Sequence, residues 1–264
     1  MKLELYQVDA FADRLFTGNP AAVIPLQEWP VTALLQNLAL ENNLSETVFI
    51  VPLQHPEADF EIRWFTPGVE VNLCGHATLA AAWVLFERLS FAKPTVVFRS
   101  KSGLLRVTKR DTLLELDFPS WKPDRLQEYP EGLERMLGIR EIVGVYQHRD
   151  LLVEVASEAE VAEAHPDFAA LRQAGAMVIL TARGREVDFV SRFFAPGAGV
   201  DEDPVTGSAH SQLIPFWADK LGKRELSARQ LSQRGGTLYC TALNEERVLI
   251  SGRCVFYMKG EIEL

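Results

Sequence analysis

The chain has 264 residues, 47% of them hydrophobic, and a formal net charge of -9 from 27 basic and 36 acidic side chains. This length provides a core for one large domain or two of ordinary size. The acidic balance argues against polyanion binding through a basic face, so we expect no nucleic-acid partner. Three cysteines without a CxxC spacing argue against a disulfide framework and a structural zinc site.

Neither a secretory signal nor a membrane span is visible in the sequence. Charged residues interrupt the N-terminal segment from Glu4 onward, and the longest nearly uncharged stretch, 71–86, is too short to cross a bilayer. We therefore expect a soluble, cytoplasmic protein with no membrane partner.

The first half of the chain alternates short strands with two helices. Alternating or β-branched segments predict strands at 3–8, 22–25, 47–51, 60–65, 96–99, 103–109 and 112–117. Leucines at 34, 35 and 38 predict an amphipathic helix over 32–42. Residues 77–86 are apolar almost all round, which is typical of a fully buried helix.

A segment with three prolines and four charged residues, 119–130, predicts a linker before the second half. Strands are then predicted at 142–146, 151–155, 177–181 and 188–194, with strand-like sequence from 231 to 239 and a closing strand at 247–251. Helices are predicted at 161–173 and at 208–221, the latter interrupted by Pro215.

The chain contains an internal duplication. The sequence RWFTPG at 63–68, followed by GHA at 75–77, returns as RFFAPG at 192–197, followed by GSA at 207–209. We therefore predict an α+β fold of two similar lobes, residues 1–117 and 124–264, with the last residues free to pack on the first lobe. Each lobe is expected to be a curled, barrel-like mixed sheet around a central helix. Because the copies differ at one helix start, His76 in one and Ser208 in the other, we expect an enzyme with its active site between the lobes.

The two predicted helix starts are candidate anion sites. Helices that begin at Gly75 and Gly207 present unpaired N–H groups and partial positive charge to a carboxylate or an enolate oxygen. The alternative is that each glycine serves only a tight strand-to-helix turn. His76 and Ser208 likewise have structural alternatives, a histidine bonded to a nearby carbonyl and a simple helix N-cap.

Two carboxylates are further candidates. Glu46 precedes a strand and Asp203 precedes Pro204. Viewed singly, Glu46 is explained as an exposed glutamate at a strand start and Asp203 as a turn-forming residue.

Several motifs together resemble the phenazine-biosynthesis-like (PhzF-like) isomerase family, which is related in fold to diaminopimelate epimerase and proline racemase. They occur in the family order from the N-terminus past residue 200. The motifs are QVDAF at 7–11, GNPAAV at 18–23, LSET at 44–47, LCGH at 73–76 and GVDEDPVTGSA at 199–209.

The resemblance implies a cofactor-independent isomerase in which Glu46 moves a proton between carbons of a small, carboxylate-bearing and cyclic substrate. His76, Asp203 and Ser208 would complete the polar set, and Asn19, Gly75 and Gly207 would bind the substrate. It also implies a homodimer, in line with apolar residues at 130–137 and 237–256. No cluster in the sequence has metal-ligand spacing, so we expect no metal and no organic cofactor.

Two other functions stay open at this point. Relatives that racemise amino acids use two cysteines, one from each lobe, and this chain keeps Cys74 but has Thr206 at the corresponding place in the second copy. A hydroxyl cannot replace a thiol as the partner base, which disfavours a racemase. A non-catalytic small-molecule-binding protein would differ from an enzyme in transferring no solvent deuterium to a ligand.

Overall fold

The computed structural model describes residues 2–264 of the chain, which form eighteen strands and six α-helices. The strands are β1 (Lys2–Ala10), β2 (Asn19–Pro25), β3 (Glu46–Pro52), β4 (Phe60–Phe65), β5 (Glu70–Val71), β6 (Thr95–Ser100), β7 (Gly103–Arg110), β8 (Leu113–Pro119), β9 (Asp124–Arg125), β10 (Gly144–Gln147), β11 (Leu151–Glu154), β12 (Val178–Arg183), β13 (Phe189–Ala195), β14 (Val200–Asp203), β15 (Glu225–Gln230), β16 (Gly236–Ala242), β17 (Arg247–Gly252) and β18 (Cys254–Glu263). The helices are α1 (Thr32–Asn42), α2 (Gly75–Glu87), α3 (Leu133–Leu137), α4 (Glu158–Ala162), α5 (Phe168–Gln173) and α6 (Gly207–Leu221).

The chain divides into two compact units, which we call the first unit (2–117 with 251–264) and the second unit (118–250). In the first unit β1–β2 is antiparallel, β2–β3 parallel, β3–β4 antiparallel, β4–β6 parallel and β6–β7 antiparallel. The second unit repeats this series with β10, β11, β12, β13, β15 and β16. The duplication is therefore present in the topology, while the predicted lobe limits of 1–117 and 124–264 stay a prediction.

Each unit also has an additional antiparallel strand at the same place. Strand β18 pairs with β1, and the short β9 pairs with β10. The described residues do not close the sheet into a barrel. The predicted α+β class, a mixed sheet with few helices, is confirmed, with the sheet open.

The central helix of the first unit is α2. It follows the extended residue Cys74, and ten of its thirteen residues are buried, among them Gly75 and His76. It packs on β1, β2 and β3, as its apolar composition predicts. This packing brings the helix start next to the beginning of β3, where Glu46 lies. No helix within residues 2–264 is long and apolar enough to cross a membrane.

The predicted interruption of the second-unit helix at Pro215 is wrong, because α6 continues through this residue. A proline inside a helix leaves the carbonyl four residues earlier without its N–H donor. Here the carbonyl of Ser211 accepts a hydrogen bond of 2.8 Å from the backbone N–H of Trp121. The linker backbone thus supplies the donor that the helix lacks.

The predicted helix at 161–173 is two short helices in the structure, α4 and α5, separated by a segment that contains Pro166. Each has its own N-cap: Ser157 accepts from the N–H of Glu160, and Asp167 accepts from the N–H of Ala170. Strand β15 was not predicted, because its polar sequence ELSARQ hides the alternation of buried and exposed positions.

Candidate functional site

Two predicted site residues of the first unit lie side by side. Glu46 is the first residue of β3, and His76 is the second residue of α2. Their atoms Oε2 and Nε2 are 3.1 Å apart, and both side chains are largely buried, with 16% and 4% exposed. This distance suits an ion pair, but the pair does not have the geometry of a hydrogen bond, and among the described residues neither atom has another hydrogen-bond partner. Both atoms therefore have unused hydrogen-bonding capacity.

The other ring nitrogen of His76 faces Asn19 and Cys74. Nδ2 of the fully buried Asn19 lies 3.2 Å from Nδ1 of His76, and Sγ of Cys74 lies 3.5 Å from the same nitrogen. Asn19 is held there by the turn before β2. The backbone of Gly18 has φ of +70°, and a Cβ on this residue would come within 2.3 Å of the carbonyl oxygen of Ala10.

Burial and charge determine the protonation of these groups. Burial, with a further contribution from the Glu46 carboxylate, raises the pKa of the Cys74 thiol to about 11. Burial by itself lowers the pKa of His76, but Cys74 and Glu46 outweigh it and hold that pKa above its ordinary value.

Glu46, Cys74 and His76 also have their potential ligand atoms within 4.8 Å of one another. The arrangement is nevertheless poor for one ion, because Nδ1 of the ring faces the thiol and Nε2 faces the carboxylate. A metal ion on either nitrogen would lie on the opposite side of the ring from one of the other two ligands. We assign no metal site to these residues.

The corresponding region of the second unit contains Asp203 at the end of β14 and Thr206 immediately before α6. Thr206 Oγ1 donates a hydrogen bond of 2.5 Å to Oδ2 of Asp203. The buried Gln230 braces this turn from β15: its Nε2 donates to the carbonyl of Asp203 at 2.8 Å, and its Oε1 accepts from the N–H of Thr206 at 2.9 Å. Asp203 is therefore oriented by a fixed network.

Ser208 lies one residue after Gly207, at the start of α6, and its neighbour is Arg149. Nη2 of Arg149 donates to Oγ of Ser208 at 3.1 Å. The guanidinium is oriented by the buried Asp150, to which it is bonded through Nε and Nη2, and it lies over the ring of Trp121 at 5.0 Å. Since Ser208 Oγ accepts from Arg149, its own hydrogen is left to donate to a ligand.

The predicted site residues thus form one group in each unit. Glu46, His76, Asn19 and Gly75 are in the first unit, and Asp203, Gly207 and Ser208 are in the second. That the two groups meet at one substrate stays a prediction. Sequence reasoning missed Arg149 and Gln230, although comparison of the two copies offered a signal for Arg149. Arg149 comes just before β11. Strand β11 is the counterpart of β2, and β2 begins with the predicted site residue Asn19.

Comparison with known proteins decides the family. A family profile described as phenazine biosynthesis-like protein matches residues 8–260. The chain belongs to this family. The resemblance inferred from the sequence motifs is therefore confirmed.

Relatives of the phenazine biosynthesis-like family cover the whole chain. Two uncharacterized isomerases of Pseudomonas aeruginosa are 49% and 52% identical to it, over 100% of both chains in each case. A crystal structure of a PhzF-family phenazine biosynthesis protein from Enterococcus faecalis is 48% identical over 100% of both chains, with a TM-score of 0.94. These relatives support the predicted enzyme class, an isomerase.

A more distantly related structure is similar to the chain in fold alone. A hydroxyproline epimerase from Agrobacterium vitis is 13% identical, covers 99% of this chain and 92% of its own, and has a TM-score of 0.67. This likeness supports the epimerase-like fold that the sequence motifs implied.

Proposed function

We propose that this protein is a cofactor-independent isomerase that moves a proton between two carbons of a small, cyclic, carboxylate-bearing substrate. The observation that carries the proposal is the buried Glu46–His76 pair, whose facing atoms have no hydrogen-bond partner among the described residues. Buried polar atoms are normally bonded, so a pair left open in this way is suited to a reacting group.

Glu46 would act as the general base. Its carboxylate takes a proton from a carbon next to an unsaturated system, and the electron pair of the broken C–H bond moves into that system. The same carboxyl group, whose proton exchanges with solvent, then delivers a proton at a second carbon, which shifts the double bond. His76, whose Nε2 lies 3.1 Å from Oε2, would stabilise Glu46 while it is charged.

The second unit would recognise the substrate carboxylate. The Ser208 hydroxyl hydrogen and Nη1 of Arg149 are donors, and within residues 2–264 Nη1 has no hydrogen-bond partner. A group that only accepts hydrogen bonds, such as a carboxylate, is the matching ligand. Asp203, fixed by Thr206 and Gln230, would be a second acceptor for a substrate N–H or O–H.

Solvent deuterium tests the proposal. Cyclic, unsaturated carboxylic acids are incubated with the protein in D₂O, and carbon-bound deuterium is measured by mass spectrometry and NMR. We expect one or more of these acids to gain deuterium at carbon with the protein present and none to do so with buffer alone. A protein that binds these acids but neither isomerises them nor exchanges their carbon-bound hydrogen would contradict the proposal and indicate a non-catalytic binder.

Three further expectations accompany this function. The racemase alternative is disfavoured because the Cys74 thiol has its pKa raised to about 11 and Thr206 precedes α6 where Cys74 precedes α2. The homodimer implied by the family and the cytoplasmic location expected from the sequence stay part of the proposal.

A further inference from the structure

The protonation of His76 depends on a contact that the proton-transfer step itself does not use. Asn19 presents its Nδ2 to Nδ1 of His76 at a distance of 3.2 Å, and both side chains are buried. An amide nitrogen only donates hydrogen bonds, so Nδ1 must accept. In a neutral imidazole the other nitrogen then carries the hydrogen. That nitrogen is Nε2, which faces Glu46.

The backbone around Asn19 fixes the position of this side chain. Asn19 pairs with Ala10 at the first position of β2, after the positive-φ turn at Gly18 and before Pro20, whose ring restricts its own backbone. Asn19 has no exposed surface. The amide is thus held opposite the ring instead of moving freely in solvent.

Among the described residues, two titratable groups face His76: Glu46 from β3, and Cys74 from the residue before α2. Glu46 favours a second proton on the ring. That proton would have to occupy Nδ1, where it would meet the N–H group of Asn19. Asn19 therefore opposes the proton on Nδ1 that Glu46 favours, and when the ring is neutral it leaves the remaining hydrogen on Nε2. Cys74, a thiol, contacts the same nitrogen more weakly at 3.5 Å.

We propose that Asn19 is a positioning residue that sets the tautomer of His76, so that the neutral ring holds its one hydrogen on Nε2, next to Glu46. This differs from the substrate-binding role that the family resemblance implies for Asn19. The use of that proton in turnover rests on the proposed function, whereas the protonation state itself does not.

Nitrogen-15 NMR of histidine-labelled protein tests this directly, because long-range spectra show which ring nitrogen carries hydrogen. The spectra are recorded from about pH 5 to about pH 10, and Asn19→Asp is compared with the wild type. His76→Gln identifies the His76 signals. We expect the neutral wild-type ring to carry its hydrogen on Nε2. This measurement needs no substitution at Asn19, so it decides the tautomer even if the variant folds poorly.

Asn19→Asp keeps the shape of the side chain but places a carboxylate opposite Nδ1. We expect a hydrogen to appear on Nδ1 and the titration midpoint of His76 to rise by at least about one pH unit. Cys74→Ala is the matched control, since it removes the other contact to the same nitrogen, and it should keep the Nε2 tautomer. The proposal is overturned by a wild-type ring that carries hydrogen on Nδ1 over the whole pH range, whether neutral or charged, by an unchanged midpoint in Asn19→Asp, or by a tautomer switch in Cys74→Ala.

Deuterium exchange at substrate carbon, measured on the same proteins, separates the two proposals. The predicted tautomer without exchange would leave the role of Asn19 standing and contradict the isomerase. Deuterium exchange together with a hydrogen on Nδ1 would support the isomerase and contradict the proposed role of Asn19.

Discussion

The ion pair between Arg63 and Glu70 should make the stability of the first unit depend on pH. Arg63 donates to both carboxylate oxygens of Glu70, at 2.8 and 2.9 Å, and Lys101 lies 2.8 Å from the same carboxylate. Hydrogen bonding from Arg63, opposed by burial and supported by Lys101, lowers the pKa of Glu70 from 4.5 to about 2. This difference corresponds to about 3 kcal/mol of stability, at about 1.4 kcal/mol for each tenfold change in proton affinity. Because 16% of the side chain is exposed, we reduce the expectation to about 2 kcal/mol.

The direction in which stability changes with pH follows from the direction of the pKa change. A carboxylate whose pKa is lowered on folding contributes fully above its ordinary value of 4.5, and the contribution is lost as the pH falls towards about 2. Glu70→Gln should therefore lower the free energy of unfolding by about 2 kcal/mol near pH 7. At about pH 3 the difference from the wild type should shrink to less than half.

Urea unfolding followed by circular dichroism at the two pH values measures this difference. Glu186→Gln is the matched control, because Glu186 pairs with Arg229 through a side chain that is 74% exposed. We expect the control to change the stability by less than about 1 kcal/mol. Equal stability of Glu70→Gln and the wild type near pH 7, or a difference that persists unchanged at low pH, would refute the reasoning.

Two other expectations concern recognition and assembly. Arg149→Lys keeps the charge but loses the planar fork that bonds Asp150 and Ser208, so it should weaken binding of a cyclic carboxylate about tenfold in calorimetry. An unchanged affinity would remove Arg149 from the proposed carboxylate site. Light scattering should give twice the chain mass of 29.6 kDa if the protein is a homodimer. A monomeric mass in dilute solution would argue against the dimer.

The sequence predicted those parts of the fold that depend on local pattern. The repeated segments RWFTPG and RFFAPG are followed by matching strands and helices in the two units. These elements could be predicted because the alternation of apolar and polar residues and the residues at helix starts are local features of the sequence. The repeat even conserves the ion pair, since Arg192 binds Glu202 as Arg63 binds Glu70, at 2.7 and 2.9 Å.

The prediction failed where distant backbone decides the outcome. Helix α6 passes through Pro215 because Trp121, far away in the sequence, bonds the free carbonyl of Ser211. Likewise, Glu46 and His76 are 30 positions apart (76 minus 46), and their contact follows from the packing of α2 on β3. The family motifs indicated both residues, but nothing in the local pattern could give their distance.

The partners of the site residues were the hardest to foresee. Gln230 and Arg149 act through hydrogen bonds to a turn and to a helix start that lie far from them in the sequence. Their own sequence surroundings resemble ordinary polar strand ends. Only the folded arrangement shows that they orient Asp203 and Ser208.

The central claim is that Glu46 transfers a proton at carbon, and the most direct measurement is deuterium incorporation by the wild type, Glu46→Gln and Cys74→Ala in D₂O. Glutamine keeps the size of the side chain but has no proton affinity near neutral pH. We expect the wild type and Cys74→Ala to place solvent deuterium on a carbon of the substrate. Glu46→Gln should bind the same acid but exchange about 10²–10⁴-fold more slowly. Exchange that survives in Glu46→Gln but is abolished in Cys74→Ala would show that the thiol, and not the carboxylate, is the base.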